Sequence, residues 1–556
     1  MKLFLQAHLS IIISILFVGC GGDNKNEFDN TENITIDKNI TVSEVPYVQS
    51  IGIGTQIHAQ VSLGDEPKDI YVLLSNYAKT NGIVEVKKSV KIVEHKKIVQ
   101  NIENFRPMAI HAPHEVEVFR RNIKNYLDEN ITKSAIKKNL KVARTNKNLL
   151  ANEKEFYLDY EGTTSTIASI KKVTSTSTIY GTRKLSIWVS NDSYGIGCSK
   201  KKCVTQGMVN ALANTFLQKG IDNDIYDWVS NVYGEEWGKH SNPNLIGKND
   251  EITILLTDIG KDNSKNGGVV GYYFPKDNFI KEKFIGSNER IMLYADSVIF
   301  ANGEGRWDIN DYWPKEMVST LAHEMQHMIH FYQKSVLLKT DATDTWINEM
   351  LSESTEDLIA SKIHHTGSRG VPYTIGSAGE EDNRLGRYPL FNANNRLSLT
   401  TWHGSLENYS VVNAFGAFLL RNYGGAKVLH DIMHSAYIDE EAIVSAVNKT
   451  PQGRGKKFND LLKEWGIAVL LSDNNHLDTL PTYNTGGYMP NQYKHSVYDI
   501  GSINFFNYSP QPSIFTASGT VQRQGNYYYK VGTRLKGDID IYLTLSGQTE
   551  ATIIVK

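Results

Sequence analysis

Residues 321–331 read Leu-Ala-His-Glu-Met-Gln-His-Met-Ile-His-Phe. Around them Met317, Val318, Leu321, Ala322, Met325, Met328 and Ile329 recur at the 3.6-residue period of an α-helix. Pro314 suits the first turn, where a missing N–H costs nothing. So broad an apolar stripe requires burial, and the remaining fold must be built around this helix. His323 and His327 stand four residues apart, so both imidazoles leave one face, separated by about 6 Å along the axis. Two such nitrogens can converge on one ion, and the spacing suits Zn2+ with Zn–N bonds of about 2.0–2.1 Å. Glu324 can reach a water at that ion without being a ligand.

A catalytic zinc commonly takes three protein ligands. Residues 346–353, Trp-Ile-Asn-Glu-Met-Leu-Ser-Glu, open a second helix with Asp344 or Thr345 as its N-cap. Glu349, 22 residues after His327, can supply the third ligand from this helix. Glu353 lies one turn further on the same face and can accept the second N–H of a ligand histidine, most simply His323. Asn348 is a further outer-shell candidate. His330 is either a structural residue or a second support for the ion. A metzincin would need glycine at 330 and histidine at 333, and this chain has His330 and Gln333. An oxygenase-type iron site also uses two histidines and a carboxylate, but it requires neither Glu324 nor the Asn-Glu-x-x-Ser-Glu helix.

His-Glu-x-x-His followed by Asn-Glu-x-x-Ser-Glu resembles the gluzincin signature of thermolysin-like peptidases. The fuller wording of both helices is most similar to the hyicolysin family of bacterial zinc metallopeptidases, over about Lys184 to Leu471. The similarity includes Cys198, Cys203 and the segment Asn413 to Phe418. It implies one catalytic Zn2+ on His323, His327 and Glu349, with Glu324 as general base in peptide-bond hydrolysis. It further implies a transition-state donor, for which Tyr409 and His403 compete. Tyr409 stands ahead of the apolar helix Val411 to Leu420, as a tyrosine does in aminopeptidase-like gluzincins, and thermolysin-like enzymes use a histidine. Peptidases of this kind add the substrate as a strand to a sheet edge, for which Gly271 and Tyr272 are the candidates. The residue after the ligand glutamate is often Gly in the family and is Met350 here. A different reading keeps the fold without catalysis, as a surface binding or adhesion lipoprotein, although metal binding alone would not need Glu324.

Charge and cysteine content narrow the field. Lys+Arg 59 against Asp+Glu 61 gives a net charge of -2, which argues against a chain built to hold nucleic acid. Three cysteines exclude a cysteine-rich zinc array. Lys2 and the apolar run Leu9 to Val18 read as a signal segment, too short to span a bilayer. Gly19-Cys20 at its end resembles the lipobox of bacterial lipoproteins, which implies export and a lipid anchor on Cys20. The expected partners are a protein or peptide substrate and a bacterial membrane, with the protein itself a monomer. Cys198 and Cys203 flank four polar residues. They suit a local disulfide better than a zinc site, for which no further ligand is near.

The expected organisation is a signal peptide at 1–20, a flexible tether at 21–45 and an N-terminal β-domain at 46–95. A charged helical linker or pro-region follows at 96–180, with a Ser/Thr-rich loop at 163–178. The catalytic domain occupies 181–480 and a C-terminal β-domain 495–556. Strands at Leu185 to Val189, Ile252 to Leu256, Val269 to Phe274 and Ile291 to Tyr294 precede a helical stretch. That order predicts an α+β class and a thermolysin-like zincin domain with a mixed sheet and a helical subdomain.

Overall fold

The structure is a computed structural model. It describes residues 35–88, 109–110, 112–128, 149–365 apart from 221 and 304, 387–474, 479–484, 492–493, 496–498 and 500–556. The signal segment, Cys20 and most of the expected tether lie outside the described residues. Thr35–Thr41, assigned to that tether, is a β-strand.

A six-stranded sheet carries the catalytic region. From its open edge inward the strands are Gly271–Tyr273, Ile291–Asp296, Glu251–Thr257, Gly181–Ser190, Ser165–Thr178 and Glu153–Tyr157. Glu251–Thr257 runs parallel to both its neighbours, and the remaining pairings are antiparallel. The sheet is thus mixed, as expected, but it starts earlier in the chain. Ser165–Thr178, read from composition as a loop, is a fourteen-residue strand. Its hydroxyl side chains suggest a loop, yet β-branched threonine suits a half-exposed strand. The two inner strands Glu251–Thr257 and Ile291–Asp296 are buried along almost their whole length, which explains their near-continuous apolar sequences.

The motif helix spans Tyr312–His330 and packs on the edge strand Gly271–Tyr273. Only Tyr312 and Lys315 of its residues escape burial. At its end the helix widens into a π-type turn over Phe331–Leu337. The second helix, Thr345–Ile359, begins after Asp344, whose carbonyl accepts Ile347 N–H and Asn348 N–H. It is clasped between the motif helix and Leu406–Asn422. Gly416 makes that clasp possible, since a Cβ there would lie 2.0 Å from Ser354 Oγ and 3.2 Å from Met350 Cγ.

Both terminal β regions form, and they form together. A five-stranded sheet interleaves Thr35–Thr41, Gln56–Ser62 and Gly82–Lys88 with Asp538–Leu545 and Gly519–Val521. A four-stranded sheet combines Tyr47–Ile53 and Lys68–Asn76 with Gly525–Leu535 and Thr549–Val555. One apolar core, including Ile57, Val61, Val72, Tyr529, Ile541 and Ile553, lies between them. This sandwich rests on the helix Phe458–Leu471, where Gly466 meets Leu73 and Asn526 Nδ2 donates to the Leu462 carbonyl at 2.9 Å.

Candidate metal centre

The motif helix presents His323 and His327 on one face with their Nε2 atoms 3.2 Å apart. Glu349 Oε2, from the second helix, stands 3.4 Å from His323 Nε2 and 3.5 Å from His327 Nε2. Three donors on a tetrahedral ion with bonds of about 2.05 Å would be separated by roughly 3.4 Å. The triangle therefore has the size that zinc requires. Both Glu349 oxygens are buried without a hydrogen-bond donor, and the Arg120 guanidinium stands off at 3.7 Å from Oε1, so the carboxylate is left available to ligate a cation.

Charge leads to the same ion. Glu117, Glu324, Glu349, Glu353 and Glu356 are all buried around the centre, with Arg120 and Arg387 as the guanidinium groups among them. Among the described residues the carboxylates outnumber the guanidinium groups, an imbalance that a divalent cation offsets. Burial opposes charge on His323, but Glu349, Glu356 and Glu324 outweigh it and hold its pKa up, at about 10. Burial opposes charge on Glu349 as well, yet the neighbouring His327 and His323 keep it well below the usual carboxylate range. Burial pushes His327 down, assisted by Arg120, toward the neutral form that binds metal.

The outer contacts fix both imidazoles. His323 Nδ1 lies 2.9 Å from Glu356 Oε1, and Ser319 Oγ donates to Glu356 Oε2 at 2.7 Å. The partner assigned from sequence, Glu353, is instead held by the Arg387 guanidinium, with bonds of 2.8–3.1 Å, and by Asn413 Nδ2 at 3.0 Å. Glu353 remains within 4.8 Å of the same imidazole, but the orienting bond has passed to Glu356, a residue the sequence reasoning missed. Asn348 Oδ1 does meet His327 Nδ1, at 3.2 Å. His330 is buried and neutral, its pKa held well below the usual value by burial and by Lys334 and His327.

Glu324 lies beside the ligands, with Oε1 3.9 Å from His323 Nε2 and free of any hydrogen bond. Its Oε2 accepts Tyr273 N–H at 2.8 Å. The edge strand therefore meets the centre through the main chain of Tyr273. Gly271 serves close packing, because a Cβ there would stand 2.8 Å from Tyr294 O and 3.2 Å from Thr320 Cγ2. The Tyr272 ring is buried and stacked on Tyr294 at 4.5 Å, so it does not line the opening.

Tyr409 does not precede its helix but sits in the first turn of Leu406–Asn422. It is buried against Trp402 and beneath Arg387, and burial with the nearby charges of Glu349 and Glu117 pushes its hydroxyl pKa well up. His403 is exposed in the preceding loop, and its backbone N–H donates to Asn408 Oδ1 at 2.9 Å. Tyr409 thus shares the electrostatic environment of the ligands. Cys198 and Cys203 are joined as a disulfide. Sequence reasoning also missed Glu117 and Arg120. Arg120 Nη2 donates to Glu324 Oε2 at 2.9 Å and to the Tyr273 carbonyl at 2.8 Å. Nothing in the local sequence around Arg120 advertises a contact 204 residues away.

Two histidines and a glutamate from adjacent helices, with a second glutamate beside the open position, define a zinc metallopeptidase of the gluzincin type. The Peptidase M30 family pattern matches residues 164–504, and the chain belongs to that family. The neutral metalloprotease ShpI of Staphylococcus hyicus is 24% identical over 334 residues, covering 59% of this chain and 67% of that protein. Two solved structures of an M1 zinc metallopeptidase mutant from Deinococcus radiodurans, one bound to a Tyr-Ser-Ala substrate, each align at 9% identity with a TM-score of 0.30. They cover 77% and 74% of this chain, which in turn spans less than two thirds of theirs, 65% and 62%.

Proposed function

We propose that the protein is an exported zinc endopeptidase that cleaves proteins at the bacterial cell envelope, anchored there by lipid on Cys20. The observation that carries the catalytic part is the 3.2–3.5 Å triangle of His323, His327 and Glu349, with Glu324 Oε1 open beside it. His323, His327 and Glu349 would hold a zinc ion, which would supply a Lewis acid for a peptide carbonyl and for an attacking water. Glu324 takes the proton of that water and returns it to the leaving amine. Tyr273 N–H holds the Glu324 carboxylate in place through Oε2, so that Oε1 is the working atom. Glu356 and Asn348 fix the two imidazoles, and Tyr409 donates to the developing oxyanion. Support for export comes from the leader sequence and from the disulfide, which persists in oxidising compartments.

Casein hydrolysis by the zinc-loaded protein tests this reading. Wild type is expected to cleave, and Glu324→Gln to bind zinc equally while losing nearly all turnover. Equal cleavage by both would overturn the role of Glu324. Labelling with a radioactive fatty acid, lost in Cys20→Ser, tests the anchor.

A further inference from the structure

Residues 112–128 lie outside the region shared with the family, yet they reach its centre. The helix His114–Arg121 docks through Phe119, whose ring meets Phe274 and Phe284 at 5.2 Å and Tyr126 at 4.5 Å. Val116 and Ile123 are buried alongside. The next side chain, Arg120, enters the cleft. Its Nη2 binds both Glu324 Oε2 and the Tyr273 carbonyl, and its Nη1 binds Glu117 Oε1 at 2.9 Å and stands 3.7 Å from Glu349 Oε1. Glu117, Arg120 and Ile123 line the remaining cavity together with His327, His330 and Thr343.

The place a peptide substrate would take at the sheet edge is occupied. A strand added at the sheet edge needs the Tyr273 carbonyl as an acceptor, and that acceptor is taken. We propose that helix His114–Arg121 is an internal inhibitor, with Arg120 seated as a latch in the substrate's place. This inference rests on the peptidase reading above. The competent form is the one from which the helix has withdrawn. Apparent affinity for anything that fills the cleft is then reduced by the fraction of molecules open.

The test compares wild type with Arg120→Ala and Phe119→Ala, each zinc-loaded and checked for zinc content and cooperative unfolding. Two readouts are taken: binding of a dipeptide hydroxamate and kcat/KM on casein. Both variants should bind the hydroxamate at least about tenfold more tightly at unchanged zinc content, and kcat/KM should rise by a similar factor. Arg120→Lys should fall between Arg120→Ala and wild type. Unchanged hydroxamate affinity in Arg120→Ala overturns the latch. So does a fall in affinity or kcat/KM, which would place Arg120 among the groups that assist turnover. If Arg120→Ala fails to fold, Phe119→Ala decides, because it unseats the helix without removing a group that touches the centre. Tighter hydroxamate binding with no hydrolysis by any form would strike the peptidase reading and leave the latch standing.

Discussion

The imidazole of His323 is oriented by a carboxylate seven residues beyond the ligand Glu349. Glu349, Glu353 and Glu356 share one helical face, so their spacing alone cannot rank the last two as partners of His323. Arg387 decides the matter by drawing Glu353 into a paired, buried contact. The ligands themselves were legible because four-residue spacing fixes where two side chains on one helix point. The choice of outer partner was not, because it depends on a residue from a distant helix. The two glutamates should fail differently. Glu356→Gln is expected to lower zinc affinity by about 10–100-fold in a chelator competition, with little loss of stability. Glu353→Ala would remove the carboxylate that meets the buried Arg387 guanidinium at 2.8–3.1 Å, and urea unfolding should show a loss of roughly 3–5 kcal/mol. Tyr409→Phe, at the oxyanion position proposed above, should lower kcat by about 10²–10³ with KM little changed.

Helix-on-helix contact explains how a bulky residue follows the ligand glutamate. The room for Met350 is provided across the contact by Gly416. Gly416→Ala should therefore force the second helix outward, costing about 1–3 kcal/mol in thermal unfolding. Activity should fall as well, because Glu349 rides on the displaced helix. Periodicity made these helices visible, but it gave no sign of their mutual fit. The same limit applies to Gly271, which sequence marked as an opening for substrate backbone. The observed neighbours, Tyr294 O and Thr320, show the closeness to be internal.

For the molecule as a whole, two β regions at opposite ends of the sequence were each legible by alternation. Their mutual pairing was not, because register between strands more than four hundred residues apart leaves no local mark. Deleting residues 519–556 should abolish the fold of 35–88 as well, seen as rapid proteolysis of that region. The sandwich also carries a pH signature. Asp540 raises the His58 pKa through a hydrogen bond, burial opposes the shift, and Asp37 adds to it. A raised histidine stabilises the fold fully below its unfolded pKa of about 6.5, and the benefit is lost as pH rises through the higher folded value. The melting temperature of wild type relative to His58→Gln should accordingly be higher at pH 6 than at pH 8.5.

Strand pairing across the termini has a consequence for biosynthesis. The leading strands leave the ribosome more than four hundred residues ahead of Gly519–Val521 and Asp538–Leu545. At about 5–20 residues per second, that delay lasts roughly 20–80 s. Throughout it their hydrogen-bonding edges are exposed to any other nascent chain. The early strands of such a sandwich depend on whatever chaperone shields them until their later partners have been made.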